Sequence, residues 1–167
     1  QRFPVTLRRI PPAEFGHGRT RNLGASLAQS EYIVYLTQDA IPLSPDWLVR
    51  LVAHFAHENV AGVYGRQIPR DDTPPMERYL LGRLYSDQAA VRKIDGSSPI
   101  RLEEAFFSNV NSAIRRRVWE RIPFDETVIM SEDQLWAKQV LMAGHRIVYD
   151  PAAAARHSHT YTLGALF

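Results

Sequence analysis

The sequence contains no cysteine, which excludes disulfide bonds and thiolate metal sites and fits a reducing compartment. It has no apolar run approaching the roughly 20 residues that a membrane-spanning helix needs, and its first residues are polar and basic, unlike a signal peptide. Charge of one sign is not in large excess, because 20 basic and 18 acidic residues leave a net charge of +2. Neither G-x-G-x-x-G nor the P-loop motif occurs, so the sequence does not support the nucleotide-binding α/β proteins that these two motifs define. These absences predict a cytoplasmic protein that binds no nucleic acid.

What the sequence does contain is an alternation of strand-like and helix-like segments in a chain of one-domain length. The 167 residues are 45% hydrophobic and 23% charged, which suits a single globular domain. Such alternation is typical of an α/β layer fold, and we expect a mainly parallel sheet in which YIVYLT, residues 32–37, is a buried strand. The predicted strands are 4–10, 32–37, 60–64, a short strand within 106–114, and 146–149, and the predicted helices are 19–29, 44–55, 76–88 and 131–143.

Acidic residues occur at two places where α/β proteins bind ligands, after the carboxyl end of a strand and at the start of a helix. Asp39 follows YIVYLT in the turn TQDA, where a carboxylate either binds a divalent cation or a ribose hydroxyl, or satisfies turn amides. Glu132 and Asp133 stand in the first turn of a predicted helix, which Ser131 opens with a capping box to Gln134. The acidic pair either complements the helix dipole or supplies a general base for transfer to an alcohol.

Three further groups of polar residues either carry ligand-binding chemistry or belong to ordinary turns and solvated helix ends. His157 and His159 follow the last predicted strand, where a neutral imidazole can complete a metal site with Asp39. An SNVNS run offers amides suited to sugar hydroxyls, and a basic helix start beside glycines suits an anionic ligand. The residues concerned are Asn109 and Asn111 in the run, and Arg19 and Arg21 at the helix start.

The order of these segments along the chain is more specific than any one of them. FGHGRTRNLGASLAQSEYIVYLTQDAIP is followed by VAGVYGRQIPR, then by FFSNVNSAIRRRVWERIPF and by SEDQLWAKQVLMAGHRIVYDP. This succession resembles the inverting family 2 glycosyltransferases of the GT-A fold, and it is most similar to their rhamnosyltransferase-like branch. The resemblance covers residues 10–163 and implies a nucleotide-diphosphate-sugar transferase sheet with helices on both faces.

The resemblance implies a role for each candidate position, with Mg²⁺ or Mn²⁺ as the cofactor. Asp39 matches the last acid of the family's D-x-D metal motif, which here reads Thr37-Gln38-Asp39 and lacks the first acid. Asp133 matches the general base of the family's ED pair, with Glu132 beside it. The implied sites are donor and diphosphate binding by Arg19, Arg21, Asn22, Gln38 and Asp39, acceptor binding by Asn109, Asn111 and Trp136, and metal binding by Asp39, His157 and His159.

The same resemblance implies the reaction, its partners and the extent of the domain. We expect an inverting transfer of a sugar, such as rhamnose, from a dTDP- or UDP-linked donor to a glycan or lipid-linked acceptor in polysaccharide synthesis. Family members place nucleoside-binding strands before the segment that begins here at Gln1, so we expect residues 1–167 to be a partial catalytic domain, incomplete at the N-terminus. A decayed, non-catalytic saccharide-binding or assembly module is the alternative. The arginines at 115–117 also suit a peripheral contact with the inner face of the cell membrane.

Overall fold

The computed structural model describes residues 4–94, 100 and 104–158, and its centre is a six-stranded sheet. The strands are β1 (Tyr32–Leu36), β2 (Ile41–Pro42), β3 (Val60–Ile68), β4 (Ala90–Arg92), β5 (Asn111–Arg115) and β6 (Arg146–Arg156). The helices are α1 (His17–Leu27), α2 (Trp47–Ala53), α3 (Pro75–Leu84), α4 (Arg116–Trp119) and α5 (Glu132–Met142), with 3-10 turns at Pro12–Glu14 and His54–Ala56. No helix in the described part of the chain is both long and apolar enough to cross a membrane.

The sheet is mixed, which corrects the expectation of a mainly parallel one. Its order is β1-β5-β3-β6-β2, with β4 also paired to β6. β3 and β6 are parallel, whereas β5 runs antiparallel to both β1 and β3, and β2 and β4 run antiparallel to β6. Because β5 is inserted between two strands of like direction, the carboxyl ends of β1, β3 and β6 and the amino end of β5 meet at one edge of the sheet. We name this the polar edge.

Helices cover both faces of the sheet, as expected. Alternate side chains of a strand point to opposite faces, and Ile147 and Val148, adjacent in β6, belong to different apolar clusters. One cluster packs α1 and α5 against the sheet and includes Trp136, which has no exposed surface. The other packs α2 and the 3-10 turn after it against the opposite face, through Leu51 and Phe55 respectively. Both clusters stabilise the sheet that carries the polar edge. Truncating a buried tryptophan such as Trp136 costs about 3–5 kcal/mol of stability.

Residues 4–10, predicted as a strand, do not form one. They pair with no strand in the described part of the chain, and Val5 and Leu7 are 87% and 77% exposed. An alternating pattern forms a strand only beside a partner, and the prolines at 4 and 11 remove backbone donors that a partner needs. β1 also differs from its prediction as a buried parallel strand, because it is the edge strand and its Leu36 is 40% exposed.

β3 and β6 are longer than the sequence predicts, and the extra length reaches the polar edge. After a register shift, Gln67 and Ile68 of β3 pair with Ala155 and Arg156 of β6. Gly65 permits the close approach of β3 to β6 at this register shift, because a Cβ at that position would lie 1.8 Å from the carbonyl oxygen of Ala153. The extension converts the start of a predicted loop into a strand and fixes the position of Gln67.

Candidate active site

The polar edge gathers side chains from distant parts of the chain. Asp39 follows β1, Gln67 stands near the end of β3, Asn109 precedes β5, and His157 follows β6. Asp133, at the start of α5, joins them through a hydrogen bond from the backbone N–H of Asn109. The polar edge is thus where α/β sheets tend to bind ligands, at the carboxyl ends of their strands.

Asp133 is half-buried, and backbone N–H groups hold its carboxylate in a fixed orientation. Its Oδ2 accepts a hydrogen bond from Asn109 N at 3.1 Å, and its Oδ1 accepts one from Gln134 N at 2.9 Å. Part of the side chain remains open to solvent. An oriented and accessible carboxylate is what a general base requires.

Ser131, the residue just before α5, has a left-handed conformation with φ 64°. Its side chain makes no capping hydrogen bond, so the predicted capping box with Gln134 is wrong, and the Asp133 carboxylate takes the Gln134 N–H instead. The left-handed region costs a residue with a side chain about 1–2 kcal/mol. Strain of this kind concentrates at functional sites, where the surrounding structure holds it.

Glu132 differs from its neighbour, because it is 3% exposed and forms an ion pair with Arg21 of α1. Burial lowers the pKa of the Arg21 guanidinium, and the negative charge of Asp133 opposes that shift. Tyr35 donates its hydroxyl to the backbone oxygen of Arg21 at 3.2 Å. The pair ties α1 to the start of α5, so the guanidinium predicted to bind a diphosphate is already engaged beside Asp133.

Asn22, also predicted to bind the donor, is occupied within the fold. Its Nδ2 donates to the backbone oxygen of Phe124 at 2.8 Å, and its Oδ1 accepts from Trp119 Nε1 at 2.9 Å and from Phe124 N at 3.1 Å. Arg19 points to the same region, with its Nε 3.5 Å from a Glu126 carboxylate oxygen. Asn22 joins α1 to the segment after α4, and the structure does not bring these two side chains to the polar edge.

Asp39 and His157 lie side by side at the polar edge. Nε2 of His157 is 3.4 Å from Oδ2 of Asp39. Arg70 adds positive charge, because its Nη2 donates to the backbone oxygen of Asp39 at 2.6 Å and lies 4.0 Å from Oδ2. Gln38 is exposed beside them, and His159 lies outside the described residues.

The Asp39–His157 pair fits a divalent cation that shares its ligands with a substrate. Mn²⁺ accepts both carboxylate oxygen and imidazole nitrogen, whereas Mg²⁺ prefers oxygen and usually keeps substrate phosphates and water among its ligands. No group of three histidine or acidic side chains suited to a metal occurs among the described residues. A cation held by this pair would therefore need further ligands, such as substrate phosphates or water.

A buried network joins the Asp39–His157 pair to the loop that holds Asp133. Gln67 is 6% exposed, and its Oε1 lies 2.9 Å from His157 Nδ1. Its Nε2 donates to Ser108 Oγ at 2.9 Å and to the hydroxyl of Tyr85. Burial raises the pKa of Tyr85, which keeps this phenol protonated. Sequence reasoning missed Gln67 because residues 66–75 were predicted as a loop, and Ile68 was the signal that the strand continues.

All three residues predicted to bind the acceptor, Trp136, Asn111 and Asn109, are buried in the structure. Trp136 has no exposed surface and donates its Nε1 to the backbone oxygen of Ile122 at 2.8 Å, so the prediction that it contacts the acceptor is wrong. Asn111 is 1% exposed. Its Oδ1 accepts from Trp47 Nε1 at 2.7 Å and its Nδ2 donates to Ala153 O at 2.7 Å, so it joins β5 to α2 and β6.

Asn109, the third residue predicted to bind the acceptor, lies next to Asp133. It is 1% exposed, and its Oδ1 accepts from Ser112 Oγ at 2.9 Å. Its Nδ2 is buried and has no hydrogen-bond partner among the described residues. Its backbone N–H, rather than its amide, makes the contact that orients the Asp133 carboxylate.

The arginines proposed for membrane contact lie at the opposite end of β5. Arg115 is 3% exposed, and Arg116 donates Nε to the backbone oxygen of Ser30 at 2.7 Å. Arg117 is exposed. Because Arg115 is inside the fold, it is not available for the peripheral membrane contact predicted for residues 115–117.

The sheet with helices on both faces is a GT-A-type glycosyltransferase fold. The mannosyltransferase PcManGT from Pyrobaculum calidifontis, in complex with GDP-Man and Mn²⁺, has a TM-score of 0.58 and 20% identity over 85% of this chain and 36% of that one. The structure of S. aureus TarS 1-349 in complex with UDP-GlcNAc has a TM-score of 0.62 and 16% identity over 88% of this chain and 40% of that one. At these identities the similarity concerns the fold alone.

The chain belongs to glycosyl transferase family 2, whose model matches residues 1–122. It is 37% identical over 155 residues to the O-antigen chain rhamnosyltransferase WbaN of Salmonella anatum, covering 92% of this chain and 49% of that protein. It is 34% identical over 160 residues to the O-antigen chain rhamnosyltransferase RfbN of Salmonella typhimurium, covering 95% of this chain and 51% of that protein. The chain thus spans about half the length of the curated relatives it matches.

Proposed function

We propose that this chain carries the metal side and the acceptor side of an inverting glycosyltransferase that acts in cell-surface polysaccharide synthesis. The donor is a dTDP- or UDP-linked sugar, and similarity to the two Salmonella proteins favours rhamnose. The observation that carries the proposal is the shared network at the polar edge. Asp133, a carboxylate oriented by backbone N–H groups, connects through Asn109, Ser108 and Gln67 to the Asp39–His157 pair.

In this proposal Asp133 removes the proton from the acceptor hydroxyl as its oxygen attacks the anomeric carbon of the donor. The new bond forms from the acceptor oxygen to that carbon, the bond from the carbon to the diphosphate oxygen breaks, and its electron pair leaves with the nucleotide diphosphate. Attack from the opposite side inverts the anomeric configuration. The contacts from Asn109 N and Gln134 N hold the carboxylate in position for this proton transfer.

On the donor side, Asp39 and His157 would hold Mn²⁺ or Mg²⁺ together with the diphosphate. When bound, a divalent cation stabilises the negative charge that develops on the leaving diphosphate. Arg70 lies beside Asp39 and adds a fixed positive charge. Of the other donor-binding candidates, Gln38 is exposed next to this pair and is retained in the proposal, whereas Asn22 is engaged elsewhere.

We place the reaction at the cytoplasmic face of the membrane, with a lipid-linked saccharide as acceptor. The membrane contact is better assigned to α3 than to the arginines at 115–117. Its exposed apolar side chains share the helix with arginines, as in helices that lie on anionic lipid surfaces. These side chains are Met76, Tyr79, Leu80 and Leu84, which are 71%, 64%, 50% and 52% exposed, and the arginines are Arg78 and Arg83.

The decisive test is sugar transfer by the full natural protein that carries this chain. Asp133→Asn keeps the shape of the side chain but removes its basicity, so we expect transfer from dTDP-rhamnose or a UDP-sugar to fall about 10²- to 10⁴-fold. Asp46→Asn is the matched control, because Asp46 pairs with exposed Arg50 on α2, and it should leave transfer unchanged.

Near wild-type turnover by Asp133→Asn would remove Asp133 as the base. A wild-type protein that binds saccharide but transfers no sugar from any of these donors, with or without Mn²⁺, would instead support the non-catalytic module. The oriented Asp133, and the Asp39–His157 pair joined to its loop through Gln67 and Ser108, count against that alternative.

A further inference from the structure

Gln67 is a buried amide whose oxygen and nitrogen both have side-chain partners at the polar edge. Oε1 lies 2.9 Å from Nδ1 of His157, and Nε2 donates to the hydroxyls of Ser108 and Tyr85. Tyr85 is 3% exposed and His157 is 4% exposed, so water is largely excluded from these contacts. A buried glutamine with both ends engaged has one stable orientation, and it constrains the groups around it.

The partner of Nδ1 decides which nitrogen of His157 carries the proton. An amide oxygen only accepts hydrogen bonds, so Nδ1 must be the donor toward Gln67. In a neutral imidazole the lone pair is then on Nε2. Nε2 is the nitrogen that faces Asp39 Oδ2, at 3.4 Å. That separation exceeds the roughly 2.9–3.0 Å typical of an N–H···O hydrogen bond, so the pair does not require a proton on Nε2.

We propose that Gln67 is a positioning residue that fixes His157 in the tautomer protonated on Nδ1, so that Nε2 is presented as a ligand beside Asp39. The inference rests on the proposed function, because the ligand it presents serves the donor side of that site. It also gives a role to Gln67, a buried polar residue that is neither the proposed base nor one of the residues proposed to contact the donor. Ligating histidines generally depend on such a partner at the other ring nitrogen.

Gln67 also connects the two sides of the site. Ser108, which accepts from its Nε2, precedes Asn109, whose N–H orients Asp133 at 3.1 Å. Ser108 Oγ also accepts a hydrogen bond from Val110 N at 3.4 Å, so this hydroxyl stabilises the turn before β5. A change at Gln67 should therefore affect His157 first and the loop that holds Asp133 second.

The tautomer of His157 can be read by long-range ¹H–¹⁵N NMR on the full natural protein without metal, with its signals assigned by their loss in His157→Ala. We expect Nδ1–H in the wild type. Gln67→Glu keeps an acceptor oxygen and should keep Nδ1–H, whereas Gln67→Leu removes the acceptor and should shift His157 toward Nε2–H. Gln88→Leu, at an exposed glutamine, is the matched control and should change nothing.

Mn²⁺ affinity in the presence of dTDP or UDP, measured by electron paramagnetic resonance, gives the second readout. Gln67→Leu should weaken it about 10- to 100-fold, as loss of the partner of a ligating histidine does, and Gln67→Glu should not. The proposal is overturned if His157 of the wild type or of Gln67→Glu carries a proton on Nε2 and none on Nδ1, or if Gln67→Leu matches the wild type in affinity. Because the tautomer is read without metal or donor, its result does not depend on the outcome of the transfer assay. If Gln67→Leu fails to fold, the tautomer of His157 in Gln67→Glu still tests the proposal.

Discussion

β5 has buried polar side chains at both of its ends, and the two ends use them differently. At the carboxyl end, Arg115 donates to the backbone oxygens of Val60, Phe55 and His57 at 3.1, 2.7 and 3.2 Å. Its guanidinium also stacks over the rings of Tyr32 and Phe55, at 5.5 and 5.2 Å from their centroids. The partners of Arg115 are thus mainly backbone groups and packed rings.

At the amino end of β5, most polar contacts involve side chains that can carry chemistry. The backbone N–H of Asn109 orients the Asp133 carboxylate, while the side chain of Ser108 binds Gln67, which in turn binds His157. Asn109 Nδ2 and the nearby Thr37 Oγ1 are buried without a hydrogen-bond partner among the described residues. Unsatisfied buried groups are costly and rare in proteins.

The difference shows how one strand serves both stability and function. Backbone partners cannot rearrange unless the fold does, so the Arg115 end should matter for stability. Side-chain partners can be replaced without rebuilding the sheet, so the Asn109 end should matter for ligand binding and proton transfer. Mutations at the two ends should therefore separate stability from activity.

The largest effect on stability is expected at Arg115. Arg115→Met leaves buried backbone oxygens without a donor, and removing one partner of such a buried network costs about 3–5 kcal/mol. Urea denaturation should show this loss in the free energy of unfolding, with sugar transfer per folded molecule unchanged. Arg117→Met, at an exposed arginine of the same cluster, should change stability by less than about 0.5 kcal/mol. Equal free energies of unfolding for the two variants would contradict the claim that the Arg115 end of β5 matters for stability.

A smaller effect of opposite sign is expected at Ser131, beside the base. Its φ of 64° is readily adopted only by glycine, so Ser131→Gly should raise the free energy of unfolding by about 1 kcal/mol. Ser131→Ala keeps the Cβ and should give no such gain, since the serine side chain makes no capping hydrogen bond. Thermal and urea unfolding of both variants would check this. Destabilisation by glycine would mean that the left-handed start of α5 is not strained.

The sequence predicted the helices on both faces and pointed to the polar edge through Asp39, His157 and Asp133. These residues stand next to strand or helix ends, where local pattern is informative. Strand direction was not predictable in the same way. β5 lies between β1 and β3 through contacts between distant residues, and a mixed sheet and a parallel one produce the same alternation of elements.

Side-chain roles that depend on which way a residue faces were also beyond the sequence. Trp136 follows the ED pair closely but turns into the core, and Asn22 turns toward Trp119 and Phe124. Gln67 was hidden because only the pairing of β3 with the end of β6 makes its segment a strand. In each case tertiary packing, rather than local pattern, determines what the side chain touches.

The central claim is that the polar edge binds the diphosphate on one side and holds the base on the other. Its most direct test is calorimetric titration of dTDP and UDP, with and without Mn²⁺, into the full natural protein and its Asp39→Asn and Asp133→Asn variants. We predict Mn²⁺-dependent binding in the wild type, at least about a 10-fold loss of that binding in Asp39→Asn, and wild-type binding in Asp133→Asn, whose defect should lie in transfer. Mn²⁺-dependent binding that survives in Asp39→Asn, or is lost in Asp133→Asn, would contradict the assignment of the diphosphate to one side of the polar edge and the base to the other.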